Sequence, residues 1–150
     1  MAKFKVDGLE NYIADVEELS KALPEDLGRA VYEGAKIVTD EIRRGIEALP
    51  VGKKPTKGEI LDYQKEGMLQ GLDIAKAQRT DDEVNVLIGM GGYNSHGEAN
   101  SKIQRSVEAG TSWGRKPTPF VRKAVNKTKE PAQKAMAEAL EKAISQHMGG

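Results

Sequence analysis

Two histidines, His96 and His147, are the only imidazoles in this 150-residue chain, which contains no cysteine. His96 lies in the glycine-rich stretch IGMGGYNSHG, two residues before Glu98. A histidine beside a carboxylate is raw material for acid-base chemistry, and a glycine-rich loop after a strand is raw material for phosphate binding. Neither pattern closes. Asn94 stands where the dinucleotide fingerprint needs its third glycine, no helix is expected to follow, and VGKKPTKG lacks P-loop spacing. Local spacing brings neither histidine to a second metal ligand or a nucleophile, so surface histidines are expected. Asp81-Asp82 and Glu17-Glu18 fall on a turn and an exposed helix face, where solvated charge is the expectation. The lack of cysteine removes thiolate nucleophiles, disulfides and the usual structural zinc sites. These residues point to no enzyme, no cofactor, no metal and no small-molecule substrate.

The remaining chemistry is charge. Formal net charge is zero, yet the thirds differ: 7 basic minus 11 acidic for residues 1–50, 6 minus 8 for 51–100, and 10 minus 4 for 101–150. Opposite ends of this kind suit contact between copies or an acidic partner. Arg115, Lys116, Arg122, Lys123, Lys127 and Lys129 run without an acid before Glu130. The first four crowd an expected helix N-terminus, where each cation costs roughly 0.3 to 1 kcal/mol, so local stability does not account for them. A solvated face, an acidic partner surface and passing DNA are the readings. Trp113, the only tryptophan, either covers the edge of the core or anchors an interface with Arg115, Lys116, Arg122 and Lys123, since Trp and Arg are enriched among binding hot spots.

The elements that position these residues follow from periodicity. KFKV reads as a short edge strand ended at Asp7-Gly8. Leu9, Tyr12, Ile13, Val16, Leu19 and Leu23 give one helical stripe, which Pro24 ends while opening a second helix with stripe Leu27, Val31, Ala35, Val38, Ile42, Ile46 and Leu49. Gly34 and Gly45 inside it suggest close helix contact or a bend. PVGKKPTKGE reads as a mobile loop near 50–60, and ILDYQKEGMLQG as a short helix broken at Gly67. LDIAKAQRT and EVNVLIGM, separated by DDE, form the strongest hairpin signal. GGYNSHGEANSKIQRS predicts a second mobile loop near 91–104, and RSVEAGT a third strand of the sheet. The last helix carries Val121, Ala124, Val125, Thr128, Ala132, Ala135, Met136, Ala139, Leu140, Ala143 and Ile144, with Pro131 expected to kink or restart it. The result is one α+β domain over 1–150: a small antiparallel sheet of three to four strands, flanked by a long N-terminal helix pair and a long C-terminal helix. No apolar run reaches the roughly 20 residues that cross a bilayer, so no membrane partner is expected.

The stretch VEAGTSWGRKPTPFVRKAV, residues 107–125, joins the expected third strand to the last helix. Gly110 and Gly114 permit positive φ on either side of Trp113. Thr118 is suited to cap the helix, Pro119 to open it, and Phe120 to anchor it. Gly110, Thr111, Pro117, Thr118, Pro119 and Phe120 thus form the expected structural corner.

The order of elements, and above all VEAGTS followed by PTPFVRKA, resembles the tail-completion or head-to-tail joining (minor tail) proteins of long-tailed bacteriophages and prophages. Glu108, Gly110 and Thr111 match the family's E-x-G-T. Pro117, Pro119, Phe120, Arg122 and Ala124 match its P-x-P-F-x-R-P-A, with Lys123 where the family usually has proline. GKKPTKGEILDYQKEG follows the family's intervening segment only loosely. The resemblance implies a virion structural protein made in the bacterial host cytoplasm and located at the head-tail junction. It further implies a homo-oligomeric ring around the DNA channel, with the head connector, the tail tube proteins and passing DNA as partners. The reading from charge alone is a small nucleic-acid-binding protein using residues 115–129.

Overall fold

The amphipathic stripe that opens at Leu27 forms the longest element in the first half of the chain. The computed structural model describes residues 3–7, 24–53, 59–79, 83–112 and 114–148. Their elements are β1 (Lys3–Asp7), α1 (Pro24–Glu47), α2 (Asp62–Gly71), β2 (Leu72–Ile74), β3 (Gln78–Arg79), β4 (Glu83–Met90), α3 (Asn100–Ala109) and α4 (Phe120–Met148). The class is α+β. The expected helix over 9–23 falls outside the described residues, as do 54–58 of the expected mobile loop and Trp113.

Every apolar position expected on α1 is buried: Leu27, Val31, Ala35, Val38, Ile42 and Ile46, with Leu49 just beyond the helix end. Four i,i+3 pairs run along the helix: Lys36 with Glu33 and Arg43 with Asp40 are exposed, while Arg29 meets the buried Asp26 and Arg44 the largely buried Glu41. Exposed pairs of this spacing contribute about 0.2 to 0.5 kcal/mol each. The helix end is closed by Lys65, whose Nζ donates to the carbonyls of Glu47 and Leu49, at 2.6 and 3.0 Å. A cation there complements the negative end of the helix.

The hairpin signal is realised by β3 and β4, which pair antiparallel with Gln78 opposite Asn85 and Arg79 opposite Val84. The sheet order is β1-β4-β2, with β3 also on β4. β1 runs parallel to β4, Phe4 opposite Val84 and Val6 opposite Val86. This corrects the expectation of a wholly antiparallel sheet: a parallel pair needs a long crossover, and more than seventy residues separate the two strands. A second correction concerns RSVEAGT, which forms the end of α3 and not a strand. Ile103 and Val107, both buried, stand four residues apart on one helical face. α2 also runs unbroken through Gly67. Pro131 lies inside one continuous α4, with no restart.

The chain divides into two compact units, residues 1–39, 74–88 and 127–150 in one and 40–73 and 89–126 in the other. The first has a core of Leu27, Ala30, Val31, Ala35 and Val38 from α1, Val84, Val86 and Ile88 from β4, and Ala132, Met136 and Leu140 from α4. Gly34 lets α1 and α4 meet here, since a Cβ on it would fall 2.6 Å from Met136 Cγ and 3.1 Å from the Ala132 carbonyl. The second unit is built on Ile42, Ile46, Ile60, Met68, Ile103, Val107, Phe120 and Val125. A parallel bridge between Val51 and Ile60 closes the base of the 50–60 loop, with the Gly52 N–H donating to Ile60 O at 2.9 Å.

The contact at Gly34 reverses an ordinary preference. Alanine is favoured over glycine in a helix interior by up to about 1 kcal/mol. Gly34→Ala is nevertheless expected to lose about 1 to 3 kcal/mol in urea denaturation, because the new methyl overpacks Met136. The same change should cost less in a Met136→Ala background; equal losses in both backgrounds would show that Gly34 is not a contact point.

Candidate functional site

The corner between α3 and α4 lies within the second unit, and its geometry starts at Gly110. This residue ends α3 with φ +76°, and a Cβ on it would fall 2.7 Å from the Arg115 carbonyl and 2.9 Å from Pro117 N. Glycine is therefore required twice, for the left-handed backbone and for the close approach. The loop folds back on itself: Thr111 N–H donates to Arg115 O at 2.9 Å, and Arg115 N–H to Thr111 Oγ1 at 3.0 Å. Thr118 N–H then donates to Val107 O at 2.8 Å, which ties the approach to α4 back onto α3.

The cap of α4 differs from the expectation. Thr118 is exposed and its contribution is a backbone carbonyl, which accepts from Phe120 N–H at 2.8 Å. The side-chain cap comes from α3: the Glu108 carboxylate accepts from Val121 N–H at 2.9 Å and from Arg122 N–H at 3.0 Å. A carboxylate taking two N–H groups of a first turn satisfies orphan donors and meets the positive helix end. Phe120 is buried at 5% exposure, against Gly45 of α1, where a Cβ would fall 3.3 Å from the Phe120 Cβ.

Of the five candidate interface residues, the structure separates Arg115 from the rest. Arg115 is 8% exposed; its Nη1 donates to Ser106 Oγ at 2.6 Å and its Nη2 to Glu59 O at 3.3 Å. Burial lowers its pKa, opposed by the Glu98 charge. Its guanidinium is a strut inside the corner, tying Ser106 to the Glu59 carbonyl. Lys116, Arg122 and Lys123 are exposed, and none has an ion pair among the described residues.

The stretch expected as a mobile loop over 91–104 is ordered by asparagines. Asn94, 7% exposed, accepts on Oδ1 from the N–H groups of His96 and Glu98, at 3.0 and 3.1 Å, and its own N–H donates to Glu98 O at 2.9 Å. Tyr93 and Ala99 form a bridge, Asn100 N–H donates to Gly92 O at 3.0 Å, and Asn100 Nδ2 donates to Gly91 O at 2.9 Å. From Asn100 onward the chain is helical. Gly67 and Gly71, one turn apart on α2, leave room for Asn94 and Asn100 to lie against that helix. Asn100 Oδ1 is buried there without a hydrogen-bond partner.

Glu98 is the hub that the sequence did not reveal. Its carboxylate accepts from Gln64 Nε2 at 3.3 Å, from Asn94 Nδ2 at 3.2 Å and from the Tyr63 hydroxyl. The Tyr63 ring stacks on His96 with centroids 3.6 Å apart and planes 21° apart. Tyr63 and His96 lie 33 positions apart and carry no shared motif, so only the Gln64 to Glu98 reach across the fold identifies the cluster. Chemically the cluster is a closed network. Its carboxylate is occupied by donors, and N–H groups that a phosphate loop would present are spent: Gly91 on Gly71 O, Gly97 on Asn94 O. No group of three His, Cys, Asp or Glu side chains that could hold a metal occurs among the described residues.

In the first unit, a half-open groove of about 520 Å³ runs beside the alanines of α1 and α4. Its rim alternates Asp26, Arg29, Glu33, Glu138 and Lys142, a mixed-sign lining that selects neither an anion nor a cation. No protein family, curated protein or solved structure matches the chain.

Two outcomes test this geometry. Glu108→Ala should lower stability by about 1 to 2 kcal/mol, the range for a lost helix cap, and Phe120→Ala by about 3 to 5 kcal/mol, the range for a buried aromatic. Both are read from chemical denaturation midpoints.

The Tyr63 phenol is raised above its ordinary 10.0, by burial first and then by the charge and hydrogen bond of Glu98. Its stabilising contribution is complete below pH 10 and is lost as pH rises through the higher folded value. Absorbance titration near 295 nm should show a late-ionising tyrosine that Tyr63→Phe removes and Glu98→Gln moves back toward the ordinary value.

Proposed function

We propose that this chain is a bacteriophage or prophage virion structural protein, acting at the head-tail junction as a homo-oligomeric ring around the DNA channel. The observation that carries the reading is the coherence of the signature residues. Glu108, Gly110, Thr111, Pro117, Phe120 and Arg122, which match the tail-completion pattern, take part in one corner: the carboxylate of the first part caps the helix that the second part opens. A pattern shared by chance has no reason to converge on one device.

In this reading the sheet is flanked by a long N-terminal helix pair and by α4. Subunits stand side by side, and the loops near 50–60 and 91–104 face the head connector or the tail tube proteins. The protein is made in the host cytoplasm and ends in the virion. Its work is mechanical, with no catalysis and no cofactor.

The nucleic-acid-binding reading, which uses residues 115–129, keeps one observation in its favour, the exposure of Lys116, Arg122, Lys123, Lys127 and Lys129. It loses Arg115, whose guanidinium is engaged inside the corner. Each phosphate contact contributes a salt slope of about −0.9 on duplex DNA, so this reading requires an affinity for bare DNA that falls as salt rises.

Light scattering over a concentration series, with negative-stain images of the large species, separates the two. The ring reading expects concentration-dependent oligomers, annular in projection, and weak or absent affinity for free DNA at about 50 mM salt. A chain that stays monomeric at every concentration yet binds DNA with a steep salt dependence would overturn it.

A further inference from the structure

We propose that the positive face at the start of α4, carried by Lys116, Arg122 and Lys123, receives the acidic segment 9–23 of a second copy of this chain. The inference rests on the ring reading above and names the contact that builds the ring.

The argument begins with how the chain treats its other cations. On α1 each of four bases has an acid three residues before it, and the four pairs lie between 2.8 and 3.9 Å. Asp26, Glu33, Asp40 and Glu41 are thereby engaged within their own helix. At the start of α4 the pattern is absent. No acid occurs between Glu108 and Glu130, and the Glu108 carboxylate accepts from backbone N–H groups of the first turn. Arg122 and Lys123 remain exposed at the positive end of a helix, where cations are disfavoured. A nearby acidic surface removes that penalty, and charge complementarity of this kind governs partner choice and register more than raw affinity.

The acidic segment of the chain that also carries an apolar series is the one of matching chemistry. Residues 9–23, LENYIADVEELSKAL, carry Glu10, Asp15, Glu17 and Glu18 against the single Lys21. Four acids minus one base leaves three negative charges, equal to the three positive charges of the face. The same segment holds the apolar series Leu9, Tyr12, Ile13, Val16, Leu19 and Leu23, so it offers burial as well as charge. A second copy is favoured over a foreign acidic protein because repeated use of one such contact, head to tail, closes a ring.

The test uses the full-length protein and sedimentation over a concentration series in about 0.1 M salt, where exposed charges are only partly screened. Lys116→Glu with Lys123→Glu reverses the face; Glu17→Lys with Glu18→Lys reverses the segment. Each pair should raise the half-assembly concentration about tenfold or more, with circular dichroism confirming an unchanged fold. Combining all four substitutions should return assembly toward the starting value. An equimolar mixture of the two double variants should also assemble, since each face then meets an opposite segment.

The outcomes are distinguishable. If the unaltered protein never assembles, the ring reading itself falls. If it assembles but the reversed face leaves assembly unchanged, or the fourfold variant fails to recover, this contact is overturned while the ring reading stands. A rescue seen only as a concentration-independent gain in monomer stability places the segment on its own chain and also overturns the inference.

Discussion

The two hydrogen bonds from α4 to the Glu108 carboxylate are the constraint on which the second unit turns. A 29-residue helix must begin somewhere, and its first N–H groups need acceptors. Here the acceptor belongs to the preceding helix, so the end of α3 and the start of α4 are defined by the same side chain. Gly110 makes the reversal between them possible, and Thr111 and Arg115 hold the loop that spans it. Because Glu108 takes backbone donors with a charged group, the bonds are of the stronger, charge-assisted kind.

Arg115 shows why charge in a sequence is not charge on a surface. It heads a basic run and reads there as part of an exposed patch. In the fold it is the member of the run that the corner consumes, with Ser106 and the Glu59 carbonyl as its acceptors. Its burial is tolerable because a guanidinium presents five donors and finds acceptors from several directions. Nothing in the run of residues distinguishes it from Lys116, since the distinction comes from a loop that returns to within hydrogen-bond distance.

The long-period features were legible and the short ones were not. The α1 stripe from Leu27 to Ile46 and the buried α4 positions Ala124, Val125, Thr128, Ala132, Met136 and Leu140 follow from 3.6-residue spacing repeated over many turns. The hairpin strands β3 and β4 follow from alternation around a charged turn. α3 has only Ile103 and Val107 to declare its period, too few to separate a helix from a strand, and its stop signal, Gly110, serves either. The parallel placement of β1 is a matter of topology that local alternation cannot carry. The Glu98 network was illegible for another reason: Tyr63, Gln64, Asn94 and Glu98 are ordinary loop and helix residues until the glycines of α2 let two distant segments touch.

Lys65 illustrates how such placement distributes reactivity. Its ammonium is committed to two carbonyls at the end of α1, which holds it against the fold. Lys116 and Lys123 stand in solvent, within reach of acylating reagents. Two amines open to covalent capture thus border the corner, which makes a bifunctional crosslinker a natural recorder of whatever surface comes to rest there.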